Sequence, residues 1–142
     1  MAKTAPDTAL LASELRVVLG QLIRRLRAEH RFSLTQGSVL GRLDREGPRS
    51  VSELAAADRV RPQSMAQAVA ELEADGLVSR RPDPRDGRRA LVELTERGLA
   101  VLEAERRQRE GWLAQAMAAG FTEREQEVLD EAVGLLRRLA DA

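Results

Sequence analysis

Apolar positions recur along most of the chain at three- and four-residue spacing, with one short interruption where the period falls to two. Over residues 8–30, Leu11, Leu15, Val18, Leu22 and Leu26 make one stripe, widened by Leu19 and Ile23, which predicts a long amphipathic helix. Thr35 is the expected N-cap of a second helix from Gln36 to Arg45, with Val39, Leu40 and Leu43 inward and Gly47-Pro48 ending it. Arg49-Ser50-Val51 reads as a short extended link. Ser50 or Ser52 can cap a third helix that ends near Asp58, and Ser50 with Glu53 fits a capping box. After the turn Arg59-Val60-Arg61, Pro62 suits the first turn of a fourth helix, where its missing N–H would be unpaired anyway. Met65, Val69 and Leu72 form that helix's buried stripe, and Gly76 supplies a left-handed stop.

The period then changes. Leu77-Val78-Ser79-Arg80 and Ala90-Leu91-Val92-Glu93-Leu94 favour strands, and the turn formers from Pro82 to Arg89 between them predict a hairpin. Thr95 caps a helix beginning Glu96-Arg97-Gly98-Leu99, whose apolar side holds Leu99, Leu102, Leu113 and Met117 around a charged middle, and Gly120 stops it. Thr122, with Glu125 three residues on, opens the last helix, where Val128, Ala132, Leu135 and Leu139 line one side and Leu129, Val133 and Leu136 lie beside them. The expected fold is mostly α, with six helices and a small antiparallel β-wing in a single domain of residues 1–142. Within it the third and fourth helices make a helix-turn-helix, and the hairpin makes it winged.

The outward side of the Pro62 helix, Gln63, Ala66, Gln67 and Ala70, is short and polar. Gln63, Ser64 and Gln67 are candidates for reading base edges, because an amide can pair bidentately with adenine and a hydroxyl is adaptable. An ordinary solvated helix face has the same composition. Zero net charge over 142 residues argues against nucleic acid at first sight, and the distribution reverses that inference. Residues 1–30 hold five basic and three acidic side chains, residues 31–92 eleven and nine, and residues 93–142 seven and eleven. The hairpin from Arg80 to Arg89 holds five arginines against two aspartates, so positive charge is local to the candidate DNA-facing part. Lys3 is the single lysine; genomic base composition can produce such a bias, so arginine content alone carries no weight.

At this point the chain resembles a known family. The strings Leu72-Glu73-Ala74-Asp75-Gly76-Leu77-Val78-Ser79-Arg80, Asp83-Pro84-Arg85-Asp86-Gly87-Arg88 and Leu94-Thr95-Glu96-Arg97-Gly98, in this order of elements, are similar to the multiple-antibiotic-resistance regulator (MarR) family of bacterial repressors. The resemblance implies a homodimer interlocked through its terminal helices, residues 8–30 and 99–142, with residues 31–98 as the DNA-binding lobe. It places the recognition helix in the major groove and the wing tip in the adjacent minor groove. Arg88 then aligns with the family's wing-tip arginine and Asp86 with the acid that orients it; a guanidinium suits the enhanced negative potential of a narrow minor groove. Arg80, Arg81, Arg85 and Arg89 are open between phosphate contacts and solvated charges. Many members cap the recognition helix with Ser or Thr, whereas this chain has Arg61 ahead of Pro62, which offers a further basic contact in place of a cap.

The resemblance also implies an effector, a small aromatic or lipophilic anion held between the dimer helices and the DNA-binding lobe, for which Arg27, His30 and Phe32 are the candidate lining. The absence of cysteine excludes a thiol-oxidation switch and any disulfide. His30, the sole histidine, lacks companions with metal-ligand spacing and reads as a helix C-terminal charge, so neither a metal nor another cofactor is expected. Trp112 reads as core or dimer packing. No serine–histidine or paired-carboxylate arrangement suggests catalysis, and no apolar run reaches the roughly 20 residues of a membrane span. With no secretory signal core at the N-terminus, the expectation is a cytoplasmic, homodimeric regulator, a repressor, on an inverted-repeat double-stranded DNA site. The rival is a winged-helix protein-interaction module without specific DNA binding.

Overall fold

The computed structural model describes residues 4–27 and 31–142. Its elements are α1 (Thr8–Arg27), α2 (Leu34–Glu46), α3 (Val51–Asp58), α4 (Pro62–Ala74), β1 (Val78–Pro82), β2 (Ala90–Leu94), α5 (Glu96–Gly120) and α6 (Glu123–Ala140). This is the mostly helical winged architecture the periodicity predicts. His30 lies outside the described residues.

Local chemistry sets the boundaries. Ser50, Thr95 and Thr122 cap α3, α5 and α6 through their hydroxyls, and Glu53 and Glu125 complete reciprocal boxes at α3 and α6. The cap of α2 is Ser33, not Thr35. Gln36 N–H donates to the Ser33 hydroxyl at 3.1 Å, and Gln36 Oε1 accepts from the Ser33 N–H at 3.0 Å, so Thr35 already sits in the first turn. A serine followed three residues later by a glutamine satisfies two orphan donors, and Thr35 has no such partner. Gly76 adopts φ +75°, as a left-handed stop requires.

The core is built from the short helices and the hairpin. Leu40, Leu54, Met65, Val69, Leu72, Leu77 and Val92 are its most deeply buried members, joined by Phe32, Val39, Leu43, Val78 and Leu102. The predicted inward stripes of α2 and α4 are thus the buried ones. β1 and β2 pair antiparallel from Val78–Leu94 to Pro82–Ala90, so pairing runs two residues further into the hairpin than strand propensity indicates. Leu77 precedes the strand, because its N–H closes the α4 cap on Leu72 O at 3.0 Å. Of the expected link Arg49-Ser50-Val51, only Arg49 pairs, exchanging two backbone hydrogen bonds with Val92, while Val51 opens α3. In contrast, α1 and α6 contain no buried residue.

Candidate nucleic-acid interface

α3 and α4 are joined by a tight turn that Arg59 makes in the left-handed region (φ 54°), the one non-glycine with positive φ among the described residues. Val60 N–H donates to Ala55 O at 3.0 Å and closes the turn. Arg61 occupies the N-cap position of α4 without a side-chain cap bond, and Pro62 follows in the first turn. Met65, Ala68, Val69 and Leu72 face inward, which leaves Arg61, Pro62, Gln63, Ser64 and Gln67 exposed together on the opposite side. The five residues singled out for the major groove therefore share one solvent-facing surface. Gln67 is not free on it: its Nε2 donates to Glu71 Oε1 at 3.3 Å.

The wing leaves the core beside this helix. Thr95 fastens its base, donating from Oγ1 to Gly76 O at 2.6 Å while accepting from Gly98 N–H at 3.0 Å. At the tip, Asp83 Oδ1 accepts from the Arg85 N–H at 2.8 Å and Asp86 Oδ1 from the Arg88 N–H at 3.1 Å. These side-chain-to-backbone turns define the loop without using the guanidinium groups. Asp86 thus engages the main chain of Arg88 and not its guanidinium.

The structure sorts the hairpin arginines. Arg80 pairs with Glu73 at 3.5 Å and Arg81 with Glu93 at 3.1 Å. Arg89 donates to the Ser50 hydroxyl at 2.9 Å and to Glu53, with Asp83 further off at 3.9 Å. It braces the wing against the start of α3. Arg85 and Arg88 are exposed with no side-chain hydrogen bond or ion pair among the described residues. Within the hairpin these are the two guanidinium groups available to an outside anion.

Glu53, which the sequence offered only as a capping residue, stands at the centre of this brace. Hydrogen bonds from the Ser50 backbone N–H and side chain hold its carboxyl below the usual glutamate range, against the opposing effect of burial, and Arg89 and Arg49 add smaller lowering contributions. Nothing in the sequence connects Arg89 with a residue 36 positions earlier. The Gln67–Glu71 contact was not foreseen either, although its i,i+4 spacing on a predicted helix is a signal that could have found it.

A cleft of about 270 Å³ opens between α1, the start of α2 and α5, lined by Ile23, Leu26, Arg27, Leu34, Gly37 and Arg109 among others. Of the expected effector lining, Arg27 is there. Phe32 is instead 5% exposed, one of the buried side chains of the hydrophobic core. Trp112 is half-buried, with Arg25 stacked 5.0 Å from its ring centre, so it joins α5 to α1. No group of three or more metal-ligating side chains occurs among the described residues, and no helix there is long and apolar enough to cross a membrane.

A recognition-type helix and an arginine-tipped wing on one side of a compact lobe define a winged helix-turn-helix DNA-binding protein. Comparison with known proteins agrees. Residues 32–89 match the model of the MarR family. An HTH-type transcriptional regulator of Mycobacterium bovis, Mb0904, is 39% identical over 136 residues, 94% of each chain. The transcriptional repressor NicR of Pseudomonas putida is 33% identical over 116 residues, 72% of this chain and 73% of NicR. The crystal structure of a transcriptional regulator from Pseudomonas aeruginosa is 40% identical and superposes with a TM-score of 0.81 over 96% of this chain and 99% of that one. The chain belongs to the MarR family of winged helix-turn-helix transcription regulators, a DNA-binding and not an enzymatic family.

Proposed function

We propose that the protein is a homodimeric repressor that binds an inverted-repeat operator in double-stranded DNA and is released by a small aromatic or lipophilic anion. The observation that carries the DNA reading is the division of labour in the exposed groups. Uncharged hydrogen-bonding side chains, Gln63, Ser64 and Gln67, gather on α4, while unpaired guanidinium groups, Arg85 and Arg88, gather at the wing tip. A protein-interaction module has no need of that separation. Dimerisation is supported by α1 and α6, whose exposed Leu10, Leu11, Leu22, Val133, Leu135 and Leu139 make apolar faces of the kind that mark association surfaces. The effector reading is supported by the cleft, where Arg27 and Arg109 flank the apolar wall of Ile23, Leu26 and Leu34. The repressor reading is supported by the likeness to NicR. A regulator of this kind works on chromosomal DNA, hence in the cytoplasm.

Binding titrations at several salt concentrations, on a selected operator and on a scrambled duplex, test the two roles. Arg88→Ala should weaken binding to both duplexes and flatten the dependence of log affinity on log salt, since its counterion release is lost. Gln63→Ala should cost about 1–3 kcal/mol on the operator, little on the scrambled duplex, and leave the salt slope nearly unchanged. If Arg88→Ala spares the scrambled duplex while Gln63→Ala weakens both equally, the roles are reversed. If the protein binds neither duplex, the DNA reading fails and the interaction-module reading takes its place.

A further inference from the structure

Glu71 is an acidic residue on the helix that faces DNA, one turn beyond Gln67. A carboxylate next to the phosphate backbone is repelled by it, so a merely solvated acid here weakens binding to every sequence. Its hydrogen bonds suggest what offsets that repulsion. Glu71 Oε1 accepts from Gln67 Nε2 at 3.3 Å, and Glu71 Oε2 accepts from Gln36 Nε2 at 2.7 Å. Gln36 is held at its other end as well. It is the third helical residue of α2, and its Oε1 is already committed to the Ser33 N–H in the capping box. With the oxygen end of that amide pinned to the cap, its nitrogen end points across to α4.

The consequence propagates one residue at a time. The box at Ser33 orients Gln36, Gln36 holds one oxygen of Glu71, and the other oxygen of Glu71 takes the nitrogen of Gln67. An amide flips between two near-isosteric orientations with opposite donor and acceptor patterns, and only one of them matches a given base edge. A bond from Nε2 to Glu71 selects one orientation and leaves Oε1 and the second N–H of Gln67 to face outward. Once the interface excludes water, each of these bonds acts in a medium of lower dielectric and strengthens. We infer that Glu71 is a positioning residue for base reading, which holds the Gln67 amide in a single orientation and is itself fixed by Gln36 of the α2 cap. This rests on the reading that α4 enters the major groove and that Gln67 faces a base.

The full-length protein and its Gln67→Ala, Glu71→Ala, Glu71→Gln and doubly substituted (Gln67→Ala with Glu71→Ala) variants are titrated on the selected operator and on a scrambled duplex. The quantity compared is the ratio of the two affinities. Gln67→Ala should lower it about tenfold. Glu71→Ala should lower it by most of the same factor although a repelling charge has been removed, and the double variant should be no worse than Gln67→Ala alone. Glu71→Gln keeps an acceptor oxygen for Gln67 and should fall between wild type and Glu71→Ala, which a simple charge effect would not produce. Should Glu71→Ala strengthen binding to both duplexes equally and leave the ratio unchanged, or should the two single effects add in full, the positioning role is wrong while the docking of α4 stands. A ratio unaffected by Gln67→Ala itself means that Gln67 reads no base, and the proposal falls with that reading.

Discussion

A Cβ placed on Gly98 would sit 2.0 Å from the backbone oxygen of Leu77. Neither partner can move cheaply: Leu77 O also accepts from the Thr95 N–H at 3.1 Å, and the Leu77 side chain is fully buried. Gly98 is there so that α5 can start directly against the turn leaving α4. Gly98→Ala should therefore destabilise the fold by about 1–3 kcal/mol or more, the usual penalty of overpacking, visible as a lower midpoint in thermal or urea unfolding. An unchanged midpoint would mean that the two elements are further apart than this. The sequence names Gly98 as part of a motif but not its reason, since the crowding partner is a backbone atom 21 positions away. Pro62 in the first turn of α4 and Gly76 at its end, whose roles are set within a few positions, were legible. Phe32 was not, because nothing local distinguishes an aromatic that enters a core from one that lines a cleft.

At the scale of elements, amphipathic periodicity predicts five of the six helices and the Ser50–Glu53 box the short α3, and the caps of α3, α5 and α6 follow from hydroxyl and acid spacing. The exception is instructive. Thr35 and Ser33 both stand before the α2 stripe, and what decides between them is the reciprocal bond from Gln36, which only the serine can share. Strand ends were less legible because pairing continues through Arg81 and Pro82 by partnership with Leu91 and Ala90, whatever their own propensities. The brace between wing and α3 has a pH signature. Glu53 has a folded pKa below its unfolded value, so its contribution to stability is complete above the ordinary glutamate pKa of about 4.3 and is lost as pH falls through the lower folded value. Glu53→Gln keeps an acceptor for the cap but no charge for Arg89. Thermal melts from neutral pH downward should show wild type above the variant, with the gap closing at acid pH. A gap independent of pH would assign no such role to the ionised carboxyl.

One lobe encloses a hydrophobic core, while α1 and α6 contain no buried residue, although both repeat leucine and valine at helical spacing. Those stripes were evident in the sequence; what covers them is not a property of a single chain, and the proposed answer is a second copy. Two-fold symmetry would then present two α4 helices and two wing tips to one duplex, and the DNA must share that symmetry. Selection of bound duplexes from a random library, followed by sequencing, tests this most directly. The expected result is an inverted repeat with half-site centres about one helical turn apart. Enriched sites that lack two-fold symmetry, or that recur only as direct repeats, would contradict it.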